Sequence, residues 1–174
     1  MLLRRASPAE LGPAGDVTVA AYADFVLGPD DPYVARLRDA ARRDREAELW
    51  VAVDDGVTGD VAGSGPGVGT VLGTVTVCPP GSPWREVARE GEGELRMLAV
   101  SPVARGRGVG TALLDLVLDR FRADGAHAVV LSSLPQMAAA HRLYTRAGFT
   151  RLPERDHSPA PHVQLLAFGK DLTR

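Results

Sequence analysis

The 174-residue chain has one cysteine, little net charge and no long apolar run. Cys78 cannot form an internal disulfide, which suits a reducing compartment. The apolar run near Met1 is too short for a signal peptide, and no later segment is apolar enough to span a bilayer. A net charge of −2 argues against a general nucleic-acid binder. We therefore expect a cytoplasmic protein with one domain, residues 1–174, and no nucleic-acid or membrane partner.

The segment Arg105–Thr111 is rich in glycine and arginine but lacks two familiar phosphate motifs. It has no Gly-Lys-Ser/Thr ending, so it is not a Walker loop. Thr111 stands where a dinucleotide fingerprint needs glycine, and the strand after the helix, 128–132, has no acidic residue at its end. What remains is a basic, flexible turn between a strand and a helix. Unpaired N–H groups and the positive end of the helix dipole predict a phosphate-binding loop.

Two motifs carry a resemblance to a known family. Arg105, Gly108 and Gly110 fit the pattern Arg/Gln-x-x-Gly-x-Gly/Ala, downstream of the strand-like segment Glu94–Val100. Residues 140–149 follow after one intervening strand and fit Ala-x-x-Leu-Tyr-x-x-x-Gly-Phe. In this order, the two motifs resemble the GCN5-related N-acetyltransferase (GNAT) superfamily. The resemblance covers about a third of the chain, and the N-terminal half matches only in its order of elements.

The resemblance implies the fold and the cofactor. The implied fold is of the α/β (α+β) class, a mixed, mostly antiparallel seven-stranded sheet with splayed strands 4 and 5 and about four helices. Acetyl-CoA enters the gap as co-substrate, the loop grips its pyrophosphate, and no metal is required. Many members have an asparagine where this chain has Met137, so Gln136 only partly replaces that contact. The implied cofactor-binding residues are Leu98, Ala99, Val100, Arg105, Gly106, Arg107, Gly108, Val109, Gly110, Thr111, Gln136 and Tyr144.

The resemblance also implies catalytic roles. Tyr144, whose ordinary pKa of about 10 keeps it protonated, would donate a proton to the departing thiolate; the alternative is a tyrosine half in the core. Glu94 would remove the proton of the amine, helped by desolvation. Its alternatives are a solvated strand end and ordered waters acting as the base. Backbone N–H groups near Leu98 and Ala99 would stabilise the oxyanion.

Other residues and segments give weaker signals. Cys78 is either a buried thiol or, with a neighbouring base, a nucleophile. The four histidines lack metal-ligand spacing, and His141 is expected on an exposed helix face. Asp156, His157 and His162 lie in the loop between the last two strands, and the resemblance implies that this loop lines the acceptor pocket. The segment Gly59–Gly69 is expected to be a flexible hairpin connection, and Pro79–Gly93 either folds over the acceptor site or forms a disordered hairpin.

The function implied is transfer of an acetyl group from acetyl-CoA to a primary amine, directly in a ternary complex. Two alternatives stay open. In the first, the chain is a catalytically silent sensor that binds acyl-CoA. In the second, it is an acetyltransferase whose acceptor is a protein N-terminus or a lysine. The acceptor is a small molecule or a peptide, and a homodimer is possible because dimers are frequent in the family.

Overall fold

The computed structural model describes residues 1–28, 30–54 and 69–173. These residues form five α-helices and eight strands. The helices are α1 Leu11–Tyr22, α2 Pro32–Arg38, α3 Ala40–Glu46, α4 Val109–Ala123 and α5 Ala138–Arg146. The strands are β1 Leu2–Arg5, β2 Glu48–Asp54, β3 Thr70–Cys78, β4 Glu92–Val100, β5 Ala128–Ser133, β6 Thr150–Arg151, β7 His157–Ala160 and β8 Val163–Asp171.

Strand order agrees with the expected architecture. The strands follow one another in the sheet as β1-β2-β3-β4-β5-β8-β6, and β7 pairs with β8. The pair β4–β5 is parallel, and the described pairs β1–β2, β5–β8, β6–β8 and β7–β8 are antiparallel. The predicted mixed, mostly antiparallel sheet is therefore confirmed. The short strand β7 adds one element where the sequence indicated only a loop.

The chain divides into two compact units, each with its own buried residues. The first unit comprises residues 1–76 and 97–114. In it, β1 pairs with β2 from Leu2↔Val53 to Arg5↔Trp50. One core cluster of this unit contains Ala14, Ala40, Leu49, Val51, Val53 and Val71. Apolar side chains of β2 are thus covered by residues of α1 and α3.

The second unit comprises residues 77–96 and 115–174. The start of β4 pairs with β5 only from Glu92↔Ala128 to Glu94↔Val130, although β4 continues to Val100. This early end of the parallel pairing is the feature expected of splayed strands 4 and 5. On its other side β5 pairs with β8 from Ala128↔Asp171 to Ser133↔Leu166. Whether the whole chain acts as one domain stays a prediction.

The N-terminal helices differ from the predicted ones. The sequence predicted a main helix from about Asp16 to Leu27, interrupted before it by Gly12-Pro13. Instead α1 begins at Leu11 and ends at Tyr22. Pro13 lies in the first turn, where the missing N–H costs no helical hydrogen bond, so it does not break the helix.

The charged stretch after Asp31 forms two short helices rather than one. Asp31 caps α2 by accepting a hydrogen bond from the Tyr33 N–H, and Asp39 caps α3 through the Arg42 N–H at 2.9 Å. The sequence predicted one helix whose solvated face includes Arg42 and Arg43, and this is wrong for Arg43, which is fully buried. A new helix begins after Asp39 and changes the helical register, so the apolar stripe predicted for one continuous helix does not extend from α2 into α3.

The low-complexity hairpin predicted at Gly59–Gly69 lies, except for Gly69, outside the described residues. Within the described ranges, no helix is long and apolar enough to cross a membrane.

Candidate active site

The glycine-rich loop has the backbone conformation that its sequence suggests. After a 3-10 turn at Pro102–Ala104, Gly106 and Gly108 adopt φ angles of 78° and 79°. These left-handed conformations are costly for residues with a Cβ. A Cβ on either glycine would meet nothing within 4 Å. The loop surface at both positions is therefore open to a ligand.

The loop leads directly into the N-terminus of α4. The Ala112 N–H donates to the Gly108 carbonyl at 3.0 Å, which marks the first helical hydrogen bond. The preceding N–H groups, up to that of Thr111, have no acceptor within the helix. Such an end, with the positive pole of the dipole, binds phosphate groups. The predicted loop thus has both the shape and the donors that a pyrophosphate needs.

Gly73 fixes the position of this helix end, and sequence reasoning missed it. A Cβ on Gly73 would lie 2.7 Å from Val109 Cγ1 and 2.9 Å from the Ala99 carbonyl oxygen. Strand β3 therefore needs glycine there for the first residue of α4 to approach so closely. The available signal was a lone glycine within a strand pattern, which indicates close packing.

The two loop arginines differ in their contacts. Arg107 Nη2 lies 2.9 Å from Asp54 Oδ2, and both side chains are substantially exposed. Arg105 is exposed, and the described residues give its side chain no ion-pair partner. Arg105 is therefore available to bind an anion. To bind one, Arg107 must give up its surface ion pair, which is worth about 0–1 kcal/mol.

Strand β4 changes its backbone at Met97. This buried residue has a φ of 50°, which is uncommon for a residue other than glycine. The predicted coenzyme-contacting residues Leu98, Ala99 and Val100 follow directly. Leu98 and Val100 are half-buried and Ala99 is buried. The predicted contacts thus lie after a break in the regular pleat of the strand.

Glu94 is buried and fully engaged by backbone groups. Its side chain is 1 % exposed, and its carboxylate accepts hydrogen bonds from the N–H groups of Glu86, Val87 and Ala88 at 2.9–3.0 Å. The alternative of a solvated strand end is therefore wrong. Its role as the base stays a prediction, and the observed contacts give that role no support.

The segment Pro79–Gly93 is held by the carboxylates of β4. Besides the contacts of Glu94, the Arg89 N–H donates to Glu92 Oε2 at 2.8 Å. Glu92 also forms a bidentate pair with Arg155 at 2.6 and 2.9 Å. The alternative of a disordered hairpin is therefore wrong.

A chain of charges connects this segment with β7. Arg96 pairs with Glu86, and the other oxygen of Glu86 lies 3.4 Å from Nε2 of His157. His157 Nδ1 lies 3.3 Å from the Arg155 carbonyl oxygen. These contacts fix the start of β7. They do not decide whether His157 or His162 lines an acceptor pocket, so that remains a prediction.

Tyr144 lies on α5 with its ring buried. Its ring centroid is 5.9 Å from those of Phe149 and Phe168. Burial raises the pKa of Tyr144 above its usual value. The phenol therefore keeps its proton throughout the neutral range, as a proton donor must. The alternative interpretation placed Tyr144 only half in the core, and its ring is buried more deeply than that.

The prediction that His141 lies on an exposed helix face is wrong. Its ring lies 5.0 Å from that of Phe168, and Nε2 is 3.2 Å from Ser133 Oγ at the end of β5. Desolvation is the main cause that lowers the pKa of His141. Met137, the N-cap residue of α5, has its sulfur 3.7 Å from the same hydroxyl, while Gln136 is exposed. Sequence reasoning missed Ser133, because nothing in the spacing connects it with His141.

Cys78 is a buried thiol at the end of β3. Burial, with the negative charge of Glu94 as a smaller cause, raises the pKa of Cys78 to about 12. A thiol of this kind is a poor nucleophile. In the part of the chain that the structure describes, no group of three or more His, Cys, Asp or Glu residues is arranged to hold a metal.

Curated relatives match part of the chain. The mycothiol acetyltransferase of Cellulomonas flavigena is 34% identical over 127 residues, which are 69% of this chain and 33% of that protein. The mycothiol acetyltransferase of Beutenbergia cavernae is 44% identical over 69 residues, 40% of this chain and 23% of that protein. The matches thus span a third or less of the length of these relatives.

Solved structures share the fold over nearly the whole chain. An acetyltransferase of the GNAT family from Staphylococcus aureus Mu50 has a TM-score of 0.71 with 12% identity, covering 99% of both chains. The putative acetyltransferase yncA from Salmonella typhimurium, solved with its cofactor acetyl-CoA, has a TM-score of 0.65 with 22% identity, covering 100% of this chain and 95% of that one. At these identities the likeness shows the fold alone.

The family model described as the acetyltransferase (GNAT) family matches residues 18–149, about three quarters of the chain. That range includes both sequence motifs, the left-handed glycines of the loop and the buried Tyr144. The chain therefore belongs to the GNAT acetyltransferase family.

Proposed function

We propose that this protein transfers an acetyl group from acetyl-CoA to a primary amine, directly in a ternary complex. The observation that carries the proposal is the loop of the first unit. Gly106 and Gly108 hold left-handed conformations with open space beyond them, in front of the first N–H groups of α4, which have no acceptor within the helix. This loop would hold the pyrophosphate, with Arg105 as the available counter-charge. Acetyl-CoA bound to yncA, a protein of the same fold, supports this choice of donor.

The residues present suit the chemistry of thioester aminolysis. Acetyl-CoA supplies the activated acetyl group, and the protein must stabilise the oxyanion and protonate the thiolate. Tyr144 would give the proton, since its phenol is protonated at neutral pH, the pKa of an ordinary tyrosine being already about 10. Backbone N–H groups near Leu98 and Ala99 would serve the oxyanion. Val100 and Gln136 remain proposed contacts of the coenzyme.

Direct transfer is favoured over an acyl-enzyme by the state of Cys78. Its pKa of about 12 and complete burial remove the only thiol from consideration as an acetyl carrier at neutral pH. The acceptor is proposed only as a primary amine, on a small molecule or a peptide. The relatives named mycothiol acetyltransferases match this chain over too small a part of their length to transfer their acceptor to it.

Calorimetry on matched glycine variants tests the loop. Gly108 and Gly125 have φ angles of 79° and 76°, and a Cβ at either would meet nothing within 4 Å. Gly108→Val and Gly125→Val should therefore strain the backbone equally. We expect only Gly108→Val to weaken acetyl-CoA binding. Equal affinities in both variants would contradict the loop assignment.

Thiol release with a panel of amines and peptides tests the transfer. We expect a signal that depends on the amine and disappears in Gly108→Val. Tyr144→Phe should lower turnover more than it lowers acetyl-CoA affinity, since the phenol acts on the thiolate only as it leaves. Tight acetyl-CoA binding without thiol release for any amine or peptide would instead favour the acyl-CoA sensor.

A further inference from the structure

The ring of Phe168 is the centre of a side-chain cluster in the second unit. His141 lies 5.0 Å and Tyr144 5.9 Å from it between ring centroids, and the guanidinium carbon of Arg151 lies 5.2 Å from its centroid. His141 and Tyr144 are three residues apart on α5, so their side chains share one helix face. Tyr144 is the proposed proton donor to the thiolate. His141 is a half-buried histidine next to it without a role.

We propose that His141 is the base that takes the proton of the acceptor amine, with Ser133 as the positioning residue of its ring. The proposal rests on the proposed acetyl transfer and adds a residue that neither sequence motif identifies.

The contacts of the ring leave one nitrogen available. Nε2 lies 3.2 Å from Ser133 Oγ, and the Leu134 carbonyl is a second acceptor beside the ring. With its hydrogen on Nε2, the ring donates to Ser133 Oγ, and the Ser133 hydroxyl donates to the Leu134 carbonyl at 3.5 Å. This tautomer is inferred from the network. It leaves the lone pair of Nδ1 free to accept a proton.

The charge state of His141 suits a base. Desolvation lowers its pKa, and the positive charge of Arg151 lowers it further, against the raising effect of the Leu134 carbonyl. Arg151 is itself paired with Asp156 at 2.7 Å. The other groups that His141 contacts carry no charge: Ser133 and Phe168 through its ring, and the Met137 carbonyl through its backbone N–H. His141 is therefore neutral at pH 7, because an ordinary histidine already has a pKa of about 6.5.

The rival base is occupied. All described hydrogen bonds of the Glu94 carboxylate go to three backbone N–H groups, and the side chain is 1 % exposed. Protonating this carboxylate would break charge-assisted hydrogen bonds, each worth about 1.5–3 kcal/mol. His141 needs to give up no comparable contact at Nδ1.

Protons and bonds balance in this scheme. The ammonium group of the acceptor gives one proton to His141 Nδ1, and its nitrogen then forms a bond with the thioester carbon. The carbon–sulfur bond breaks, and the thiolate takes the proton of Tyr144. The second proton of the nitrogen restores the phenol, and His141 releases its proton to solvent. The products are the acetyl amide, the free thiol of coenzyme A and one proton.

The test is the pH dependence of thiol release in His141→Gln, with His127→Gln as the matched control. His127 is an exposed histidine in the same unit. For a strongly basic amine found in the panel, we expect His141→Gln to lower kcat/KM by about 10²–10⁴-fold, the usual contribution of general base catalysis. The wild-type profile should fall on the acid side below about pH 6.5. That limb should be absent in His141→Gln and unchanged in His127→Gln.

Three further measurements separate catalysis from structure. Hydroxylamine, which is already neutral at pH 7, needs no base, so its rate should fall much less in His141→Gln than that of the basic amine. Acetyl-CoA affinity measured by calorimetry should stay the same. Ser133→Ala should lower kcat for the basic amine, again with unchanged affinity, because it releases the ring from its position.

The outcomes distinguish this proposal from the transferase itself. A wild-type acid limb retained in His141→Gln, or equal losses for hydroxylamine and the basic amine, would overturn the assignment of His141 alone. Wild-type protein that binds no acetyl-CoA, or that releases no thiol with any amine, would overturn the proposed function and this assignment with it.

Discussion

Each of the two units buries a charged side chain that has no ion-pair partner among the described residues, and the two side chains are held in different ways. In the first unit, Arg43 is fully buried and donates to the Thr18 and Thr76 hydroxyls at 3.0 and 3.3 Å and to the Leu37 carbonyl at 3.0 Å. In the second unit, Glu94 accepts from three consecutive backbone N–H groups. Among the described residues, neither charge has an oppositely charged partner within ion-pair distance.

The difference lies in what each charge organises. Arg43 connects three separate elements, α1, β3 and the end of α2, and its Nε has no partner among the described residues. Glu94 orders one continuous segment, and its contacts satisfy both carboxylate oxygens. When a buried charge lacks some of its hydrogen-bond partners, its contacts do not fully offset the free-energy cost of removing it from water. We therefore expect Arg43 to stabilise its unit mainly through the volume that it fills, and Glu94 to stabilise its unit mainly through its charge.

The largest expected effect is that of removing the bulk of Arg43. Arg43→Ala should lower the free energy of unfolding by about 3–5 kcal/mol, because it leaves a cavity in the first unit. Arg43→Met, which keeps most of the volume, should change it by no more than about 1.5 kcal/mol. Urea unfolding measures both. A loss in Arg43→Met as large as in Arg43→Ala would show that the charge, not the volume, stabilises this unit.

Glu94→Gln should be the next largest change. One amide oxygen cannot replace two carboxylate oxygens, and the NH₂ group faces backbone donors, so we expect a loss of about 2–3 kcal/mol. Glu90→Gln, at an exposed position of the same segment, is the control for the charge alone. Urea unfolding and amide hydrogen exchange at Val87 and Ala88 are the measurements. Unchanged exchange at both residues would contradict the anchoring role.

The depressed pKa of Arg43 predicts a smaller effect with a definite sign. Desolvation lowers that pKa to about 10, so between pH 10 and the higher pKa of the unfolded chain the unfolded state binds more protons. Stability relative to Arg43→Met should therefore rise with pH above 10, by up to about 1.4 kcal/mol per pH unit. Thermal unfolding of the two proteins at pH 9 and pH 11 tests this. A constant difference would contradict it.

The smallest effect is expected at the exposed ion pair Arg107–Asp54. Asp54→Asn should change the free energy of unfolding by less than about 1 kcal/mol, as for other surface pairs. It should also strengthen acetyl-CoA binding slightly at low salt, because Arg107 no longer has to leave a partner. Calorimetry at two salt concentrations measures this. Weaker binding would show that Asp54 positions the loop.

The sequence predicted the features that depend on local backbone chemistry. The glycines of Arg105–Thr111 predicted a flexible turn between a strand and a helix. In the structure Gly106 and Gly108 take left-handed conformations there, which few other residues accept. The pattern of elements indicated the sheet. It did not show that α1 continues through Pro13, since proline in a first turn and proline as a breaker look the same without the helix start.

Features that depend on contacts far apart in sequence were not predictable. Glu94 and the N–H groups of residues 86–88 meet only because the segment folds back, and backbone donors leave no trace in residue type. Ser133 and His141 likewise meet across the β5–α5 connection. The sequence placed Arg43 on a helix face by counting along one continuous helix. Because a new helix begins after Asp39, that count gave the wrong face, and the burial of Arg43 was not predicted.

The anchoring of Glu94 to main-chain amides has a consequence for sequence variation. The donors are present whatever side chains stand at Val87 and Ala88, so most replacements there would leave the anchor intact. Proline is the exception, since it has no N–H to give. Most substitutions at Val87 and Ala88 should therefore be tolerated, whereas a substitution of Glu94 should not.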